Sequence, residues 1–398
     1  MRDCPQEILN RIWRLFAAQG IADDLQIIEA VAHDLLVKAG HTTQAGEPDF
    51  PRPVTLAAAR AESLQSLLDD ALASHEPGAL LNHCLLFRLS TMQAGGRYPT
   101  PRHIADLMAD LVQEIGWRLT EREPRQVADF ACGSGGLLAP FASDTLAGVE
   151  ISPSWARLAR ANLLLNGCAG ATIHTGDAFA VVGEQIEHSF DVILMNPPFG
   201  VQLEGSLVDR RLGPESGARS ETAMALLGLQ RLADDGRLAI LQPGGTLFST
   251  GKGEKKLREK LLEEGQLDAI VQLPKDAFQP YSQLQTYLLL ARQSYRSSRE
   301  SEAPVWFYHI SHDGFSSGRN RQPQPEQSQL PLLANAVRAA LDFPEWVIKD
   351  DSGETQLVAH TLAAEGTLIT QPGDGKLTVQ AITLPNATSL WLTRQTES

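Results

Sequence analysis

Apolar residues recur every three or four positions over much of the first ninety residues, and this is the spacing of one buried helix face. Two such sets are Ile8, Ile12, Leu15, Phe16 and Ile27, Ile28, Val31, Leu35. A polar stretch at 40–53 interrupts the pattern. We therefore predict a helical N-terminal domain over residues 1–92.

After residue 100 the pattern changes to short apolar runs that alternate with helical segments. We interpret the runs at 146–151, 171–174, 192–195 and 237–242 as strands, and residues 126–136 as a strand that leads into a glycine-rich turn. Helices are predicted from Pro101 to about residue 115, from 153 to 166 and from 221 to 232, and residues 200–220 are predicted to be a polar loop. Alternating strands and helices predict an α/β fold with a doubly wound, mainly parallel sheet.

The last hundred residues have a different pattern. A polar stretch at 294–304 marks a boundary, a helix is expected at 332–341, and Gln371-Pro372-Gly373-Asp374-Gly375 predicts a hairpin turn between alternating segments. The predicted domains are thus the helical part (1–92), an α/β domain (93–295) and a small α+β region (296–398) where a partner could dock.

The most informative segment is Phe190-Asp-Val-Ile-Leu-Met-Asn-Pro-Pro-Phe-Gly200. Its apolar run, 192–195, predicts a buried strand that stops at two prolines, which cannot continue a central ladder. The Asn196 amide, the Pro197 carbonyl and the Phe199 ring then follow at the carboxyl end of a strand, where open α/β sheets bind ligands. Two acceptors beside a flat ring suit an extruded nucleobase that carries an exocyclic amine.

A second group of residues suggests a nucleotide-like ligand. Gly133 and Gly135, in a turn after a strand, permit close approach of the backbone, and the third glycine of a dinucleotide fingerprint is missing because position 138 is Leu. Glu150, after the next strand, is placed to hold ribose hydroxyls, and Asp177, after the third, to accept from an adenine amine. Thr100 at a helix N-terminus can meet a carboxylate. A carboxylate, a ribose and an adenine without phosphate describe S-adenosylmethionine.

These motifs resemble the N6-adenine DNA methyltransferases, specifically the modification subunits of type I restriction–modification systems, over about residues 95–292. The segment Tyr98-Pro99-Thr100-Pro101-Arg102 looks like the family's first cofactor motif, and Asp129-Phe-Ala-Cys-Gly-Ser-Gly-Gly136 like its main one. The resemblance implies a class I S-adenosylmethionine-dependent methyltransferase fold. It also implies these cofactor-binding residues: Arg97, Tyr98, Thr100, Pro101, Arg102, Asp129, Ala131, Gly133, Ser134, Gly135, Glu150 and Asp177.

The catalytic motif of that family matches Asn196-Pro197-Pro198-Phe199. The implied reaction moves a methyl group from S-adenosylmethionine to the N6 amine of a flipped adenine in DNA. The Asn196 oxygen and the Pro197 carbonyl each accept one N–H of the amine, and Phe199 stacks on the base. The mechanism requires neither a metal nor a covalent intermediate.

Composition bears on the partners. The formal net charge is −14, which argues against a protein that holds DNA alone, because phosphates are neutralised by Lys and Arg. The resemblance implies double-stranded DNA as substrate, and the acidic charge indicates a separate specificity subunit that supplies DNA-binding charge. The resemblance is also compatible with an associated restriction or defence subunit, which the sequence leaves open. The start of the chain has no secretory h-region, and no apolar run has the length of a membrane span. The four cysteines lack metal-ligand spacing, which is typical of a cytoplasmic protein without a zinc site.

Two other functions are consistent with some of these motifs. Similar Asn-Pro-Pro-aromatic motifs occur in methyltransferases that act on RNA or on protein glutamine, so the tetrapeptide alone leaves those substrates open. A non-catalytic subunit that binds cofactor and scaffolds a defence complex is the third alternative.

Overall fold

The structure is a computed structural model that describes residues 6–41, 54–86, 99–116, 125–142, 144–263, 267–280, 282–293, 305–331, 333–334, 346–349, 355–358, 364–368 and 377–382. The chain forms two compact units: Met1–Arg102 with Val127–Val181, and His103–Gln126 with Val182–Ser398. The division into domains at 92 and 295 stays a prediction.

The helices are interspersed with the strands of an α/β fold. Their bounds are α1 Gln6–Ala17, α2 Asp24–Lys38, α3 Ala58–Leu72, α4 Pro77–Ala79, α5 Arg102–Gly116, α6 Pro153–Leu165, α7 Ala178–Val181, α8 Gly205–Leu212, α9 Ser220–Gln230, α10 Gly244–Phe248 and α11 Lys252–Glu263, and a π-helix, Leu80–Leu85, follows α4. The strands are β1 Gln126–Asp129, β2 Thr145–Glu150, β3 Thr172–Thr175, β4 Phe190–Met195, β5 Leu232–Pro243, β6 Leu267–Gln272, β7 Thr286–Arg292, β8 Val305–His309, β9 Trp346–Lys349, β10 Thr355–Val358, β11 Ala364–Leu368 and β12 Leu377–Ile382.

The first unit joins the N-terminal helices to one helix of the α/β part. Leu158 and Ala161 of α6 belong to the same buried cluster as the apolar faces of α1, α2 and α3. Beside this cluster, both Nε and Nη2 of Arg157 donate to Oε1 of Glu29, at 3.0 and 2.7 Å. Burial raises the pKa of Glu29, so the Arg157 guanidinium compensates a costly buried carboxylate. The predicted helical character of 1–92 is confirmed where the structure describes it.

Strand pairing differs between the two units. In the first, β2 and β3 are parallel, with Glu150 opposite Thr175. In the second, the strand order is β10-β9-β11-β12-β8-β6-β7-β5-β4. Its β4–β5 and β6–β8 pairs are parallel, whereas β7 runs antiparallel to both β5 and β6. The predicted α/β class is confirmed, and the sheet is mixed because β7 and the C-terminal strands are antiparallel.

Several local predictions are refined or fall outside the described residues. Helix α5 begins at Arg102, one residue after the predicted start. The predicted loop at 200–220 is wrong over 205–212, where α8 forms and buries Val208. The helix predicted at 332–341 and the turn at 371–375 lie largely outside the described residues. The flanking strands β11 and β12 pair antiparallel, with Leu368 opposite Leu377.

Three further observations concern the described residues. None of their helices is both long and apolar enough to cross a membrane. No group of three or more metal-ligating side chains is found among them. Cys132 and Cys168 are buried free thiols, and Cys84 is disulfide-bonded.

Candidate active site

The glycine-rich turn after β1 has a backbone conformation that side chains rarely allow. Gly133 and Gly135 have φ angles of +52° and +76°. A Cβ on Gly135 would lie 3.2 Å from Cγ of Leu163 and 3.4 Å from Cα of Ala159, whereas one on Gly133 would meet no atom within 4 Å. Gly135 therefore lets α6 approach the turn closely, and Gly133 lies on its open side.

Helix α6 also holds the turn through one buried amide. Nδ2 of Asn162 donates to the carbonyl of Ser134 at 2.9 Å, and Asn162 is fully buried. The turn is thus fixed to the same helix that carries Arg157. Among the predicted cofactor residues, Ser134 and Ala131 are half-buried in this turn.

Glu150, at the end of β2, is oriented by two backbone groups. Its Oε2 accepts from the N–H of Gly133 at 3.1 Å, and its Oε1 accepts from the N–H of Ser152 at 2.8 Å. The residue is only 9% exposed. A carboxylate has about four lone-pair sites, so both oxygens can still accept from ligand hydroxyls. Glu150, the residue predicted to bind the ribose, is therefore hydrogen-bonded directly to the glycine-rich turn.

Asp177 follows the neighbouring strand β3. Its Oδ1 accepts from the N–H of Phe179 at 2.8 Å, while the N–H of Gly176 donates to the carbonyl of Glu150 at 3.0 Å. The two acids are thus placed at the carboxyl ends of adjacent parallel strands, as expected for ligand-binding residues in an open sheet.

Asp129 occupies a different environment from the other predicted acids. It is 1% exposed, and its Oδ1 accepts from the N–H of Ala131 at 2.9 Å. Burial raises its pKa to about 8, with a smaller contribution from the nearby charge of Glu150. Its observed contact is with the turn itself, which it supports from the buried side.

The first predicted cofactor motif is partly described. Thr100, Pro101 and Arg102 are half-buried at the start of α5. Nη1 of Arg102 lies 3.5 Å from the carbonyl of Gly136, at the outer limit of a hydrogen bond. The structure thus brings Arg102 to the end of the glycine-rich turn. Arg97 and Tyr98 lie outside the described residues.

The predicted catalytic residues follow β4 in the second unit. Every residue of β4 is buried, and its apolar run from Val192 to Met195 explains why the strand forms. Pro197 is buried, whereas Asn196, Pro198 and Phe199 are half-buried. The strand ends at Met195, as predicted, because the two prolines supply no N–H for a ladder. The polar amide and the aromatic ring therefore reach the surface at the end of a rigid, buried strand.

Two residues that the sequence analysis missed bind this segment from the start of α9. The hydroxyl of Ser220 donates to the carbonyl of Pro198 at 2.5 Å, and the N–H of Gly200 donates to Oε2 of Glu221 at 2.8 Å. Both side chains are buried. A Ser-Glu pair at a helix start was the available signal, but it equally predicts an ordinary N-terminal cap.

The first unit has the groups that a nucleoside ligand with ribose hydroxyls requires. Glu150 and Asp177 offer carboxylate oxygens on adjacent strand ends, and the open side of the Gly133 turn leaves space for close approach of a ligand. These residues fit S-adenosylmethionine. The α/β fold, the glycine-rich turn and the acids at the strand ends together define a class I S-adenosylmethionine-dependent methyltransferase.

The chain belongs to the N-6 DNA methylase family, whose model matches residues 85–348. It is 30% identical over 261 residues to the methylase subunit of the type I restriction enzyme EcoEI from Escherichia coli, which covers 60% of this chain and 50% of that protein. This chain spans about half the length of the curated relatives it matches.

Two solved structures share the fold. The methyltransferase subunit of a type I restriction–modification system from Streptococcus thermophilus aligns with a TM-score of 0.57 and 22% identity, covering 74% of this chain and 66% of that one. A class I S-adenosylmethionine-dependent methyltransferase from Listeria monocytogenes aligns with a TM-score of 0.60 and 15% identity, covering 77% and 91%. At these identities the likeness establishes the fold, and the family implies S-adenosylmethionine as methyl donor.

Proposed function

We propose that this chain transfers a methyl group from S-adenosylmethionine to the N6 amine of a flipped adenine in double-stranded DNA. The observation that carries the proposal is the tetrapeptide Asn196-Pro197-Pro198-Phe199 at the end of a buried strand, in a chain of the N-6 DNA methylase family. The chemistry of an amide oxygen, a backbone carbonyl and an aromatic ring suits an aromatic amine better than a hydroxyl or a thiol.

The cofactor is assigned to residues of the first unit. Glu150 accepts from the ribose hydroxyls, Asp177 from the adenine amine, and the turn from Ala131 to Gly135 lies against the ligand. Thr100, Pro101 and Arg102, with Arg97 and Tyr98 before them, bind the methionine end. When bound, the cofactor supplies an electrophilic methyl group on a sulfonium.

The acceptor amine is assigned to the segment after β4. The N6 lone pair of adenine is delocalised into the ring, so the amine is a poor nucleophile. Asn196 Oδ1 and the Pro197 carbonyl each accept one N–H, which orients the nitrogen and favours its rehybridisation. The Ser220 hydroxyl bonds to the carbonyl of Pro198, the next residue along the chain. Positioning and electrostatics then provide the acceleration.

Phe199 is assigned a different role, which is to stack on the extruded base. Extraction of a base from the duplex costs a few kcal/mol, and stacking on an aromatic side chain returns about 1–3 kcal/mol. Phe199 is half-buried, so part of this residue remains accessible. Phe199 therefore stabilises the extruded base next to the two acceptors.

We further propose that the chain acts as the modification subunit of a cytoplasmic restriction–modification or related defence system. The net charge of −14 supports a separate specificity subunit that contributes DNA-binding charge, and a restriction or defence subunit completes the system. In this assembly residues 93–295 form the catalytic domain, 1–92 a helical domain, and 296–398 a candidate docking region.

The purified chain, alone and with the products of neighbouring genes, is incubated with methyl-labelled S-adenosylmethionine and with DNA, RNA or protein. The proposal predicts label in DNA, recovered as N6-methyladenine after digestion. Label confined to RNA or to protein glutamine would overturn the DNA assignment. Cofactor binding without transfer to any acceptor, with the neighbouring products present, would favour the scaffold alternative.

A further inference from the structure

The segment that follows the catalytic strand is held by one pair of adjacent side chains. Ser220 bonds to the carbonyl of Pro198 and Glu221 to the N–H of Gly200. These contacts lie immediately before and after Phe199. One dipeptide therefore fixes the backbone on both sides of the ring.

The prolines explain why external contacts matter here. Neither Pro197 nor Pro198 has an N–H, so the segment cannot be secured through its own amide donors. Gly200 has a φ of +72°, which turns the chain away from the strand direction. Two backbone bonds extend the attachment, from Ser220 N–H to the Val201 carbonyl at 2.9 Å and from Leu203 N–H to the Ala218 carbonyl at 2.8 Å.

The pair is itself attached to the strand beside the catalytic one. Nε2 of Gln242, in β5, donates to the carbonyl of Glu221 at 2.9 Å. Strand β5 pairs with β4, where Met195 lies opposite Ile240. A continuous path of contacts thus connects β5, the start of α9 and the segment that contains Phe199.

Burial of the Gln242 side chain lowers the stability of the fold, and an apolar side chain at this position would not have this effect. It is fully buried, and its Oε1 has no hydrogen-bond partner in the part of the chain that the structure describes. An unsatisfied buried oxygen lowers stability, and an apolar residue of similar size would remove that cost. The amide is therefore better explained by its bond to Glu221 than by packing.

We propose that Ser220 and Glu221 form a positioning pair, anchored by Gln242, that sets the Pro197 carbonyl and the Phe199 ring in place for methyl transfer. The inference rests on the proposed function for its kinetic consequence. The pair acts through the Pro198 carbonyl and the Gly200 N–H and does not itself contact the acceptor.

The test variants are Ser220→Ala, Glu221→Leu and Gln242→Met. Glu221→Gln is the conservative variant, because it keeps a side-chain oxygen that can accept from the Gly200 N–H. Thr222→Val is the control. Thr222 is the matched control because it is equally buried on α9 but its hydroxyl lies near Glu254, at 3.5 Å. A displacement of about 1 Å can cost about 100-fold in rate. We expect kcat to fall about 10- to 100-fold in Ser220→Ala and Glu221→Leu, with unchanged cofactor Kd. Glu221→Gln should recover most of the kcat.

Gln242→Met separates positioning from stability. The proposal predicts a lower kcat together with an equal or higher Tm, whereas a structural role predicts a lower Tm with kcat retained in the folded fraction. If all variants kept kcat within twofold, or if Thr222→Val lost as much as Ser220→Ala, the positioning role would be wrong.

Hydrogen–deuterium exchange tests the same pair without methyl transfer. The proposal predicts faster exchange at the Gly200 amide in Glu221→Leu, and in the peptide around 196–203 in Ser220→Ala, with Thr222→Val unchanged. Unchanged exchange would overturn the inference. Faster exchange in a protein that methylates no DNA would overturn the proposed function and leave the attachment itself supported.

Discussion

The N–H of Gly133 donates to Oε2 of Glu150 at 3.1 Å, so the glycine-rich turn and the acid at the end of β2 are one structural unit. The sequence predicted separate roles for the two residues. The contact means that changes at Glu150 affect both the ligand and the loop against which the ligand lies.

Glu150→Ala removes the proposed ribose acceptor and leaves two backbone N–H groups without their carboxylate partner. Hydrogen bonds to charged groups contribute about 1.5–3 kcal/mol, so we expect the Kd for S-adenosylmethionine to rise about 10- to 100-fold, measured by isothermal titration calorimetry. Glu62→Ala, at an exposed site on α3, is the control and should leave the Kd unchanged. Equal Kd values for wild type and Glu150→Ala would exclude Glu150 from the cofactor site.

Gly135→Ala tests the close approach of α6 to the turn. The left-handed backbone costs about 1–2 kcal/mol for a residue with a Cβ, and contacts at 3.2 and 3.4 Å add overpacking. We expect the free energy of unfolding, measured in urea, to fall by about 2–4 kcal/mol. Gly136→Ala is the matched control, because its Cβ would lie 3.7 Å from the nearest atom and its φ is not positive. Comparable losses in both variants would contradict this explanation.

The raised pKa of Asp129 predicts that the stability of the cofactor-free protein depends on pH. Its folded pKa of about 8 lies above the unfolded value of about 3.9, so the folded protein holds a proton that the unfolded chain releases. The stability that this group contributes is fully present below about pH 4 and is lost as the pH rises through about 8. Asp129→Asn should therefore lose less stability than wild type between pH 5 and pH 9 in urea unfolding.

A surface substitution provides the comparison for that pH series. Asp70→Asn, exposed on α3, should follow the wild-type curve. A wild-type curve parallel to that of Asp129→Asn across the whole range would show that Asp129 is ionised in the folded protein.

Local patterns predicted the parts of the site that depend on neighbouring residues in the chain. The buried run of β4 and the two prolines after it identify where the strand ends and what it presents. The acids Glu150 and Asp177 follow short apolar runs, so their positions at strand ends could be predicted. Helix α8 was missed because Asp209, Arg210 and Arg211 dominate its short sequence and leave little apolar periodicity.

Contacts between distant positions could not be predicted in the same way. Ser220 reaches Pro198 across 22 positions, and Glu221 reaches Gly200 across 21. No periodic pattern relates residues at such separations, and each side chain has an ordinary local explanation. Likewise, the sequence places Asp129 at a strand end but does not reveal that it is buried, and its raised pKa follows from that burial.

Asn196→Ala separates the proposed acceptor site from the cofactor site. Loss of one preorganised hydrogen-bonding group in an active site costs about 100- to 1,000-fold in kcat, and we expect a loss of at least that size. The Kd for S-adenosylmethionine should be unchanged, because the cofactor is assigned to Glu150, Asp177 and the glycine-rich turn and not to Asn196. Gln202→Ala, at an exposed position of the same segment, should keep most of the activity. A variant with normal kcat would rule out this role for Asn196.

The most direct measurement is long-read sequencing of host DNA from three strains: one with the intact gene, one with the gene deleted and one with the Asn196→Ala allele expressed at the same level. The account predicts N6-methyladenine at a defined sequence context in the first strain and its absence from the other two. The same N6-methyladenine pattern in all three strains would contradict it.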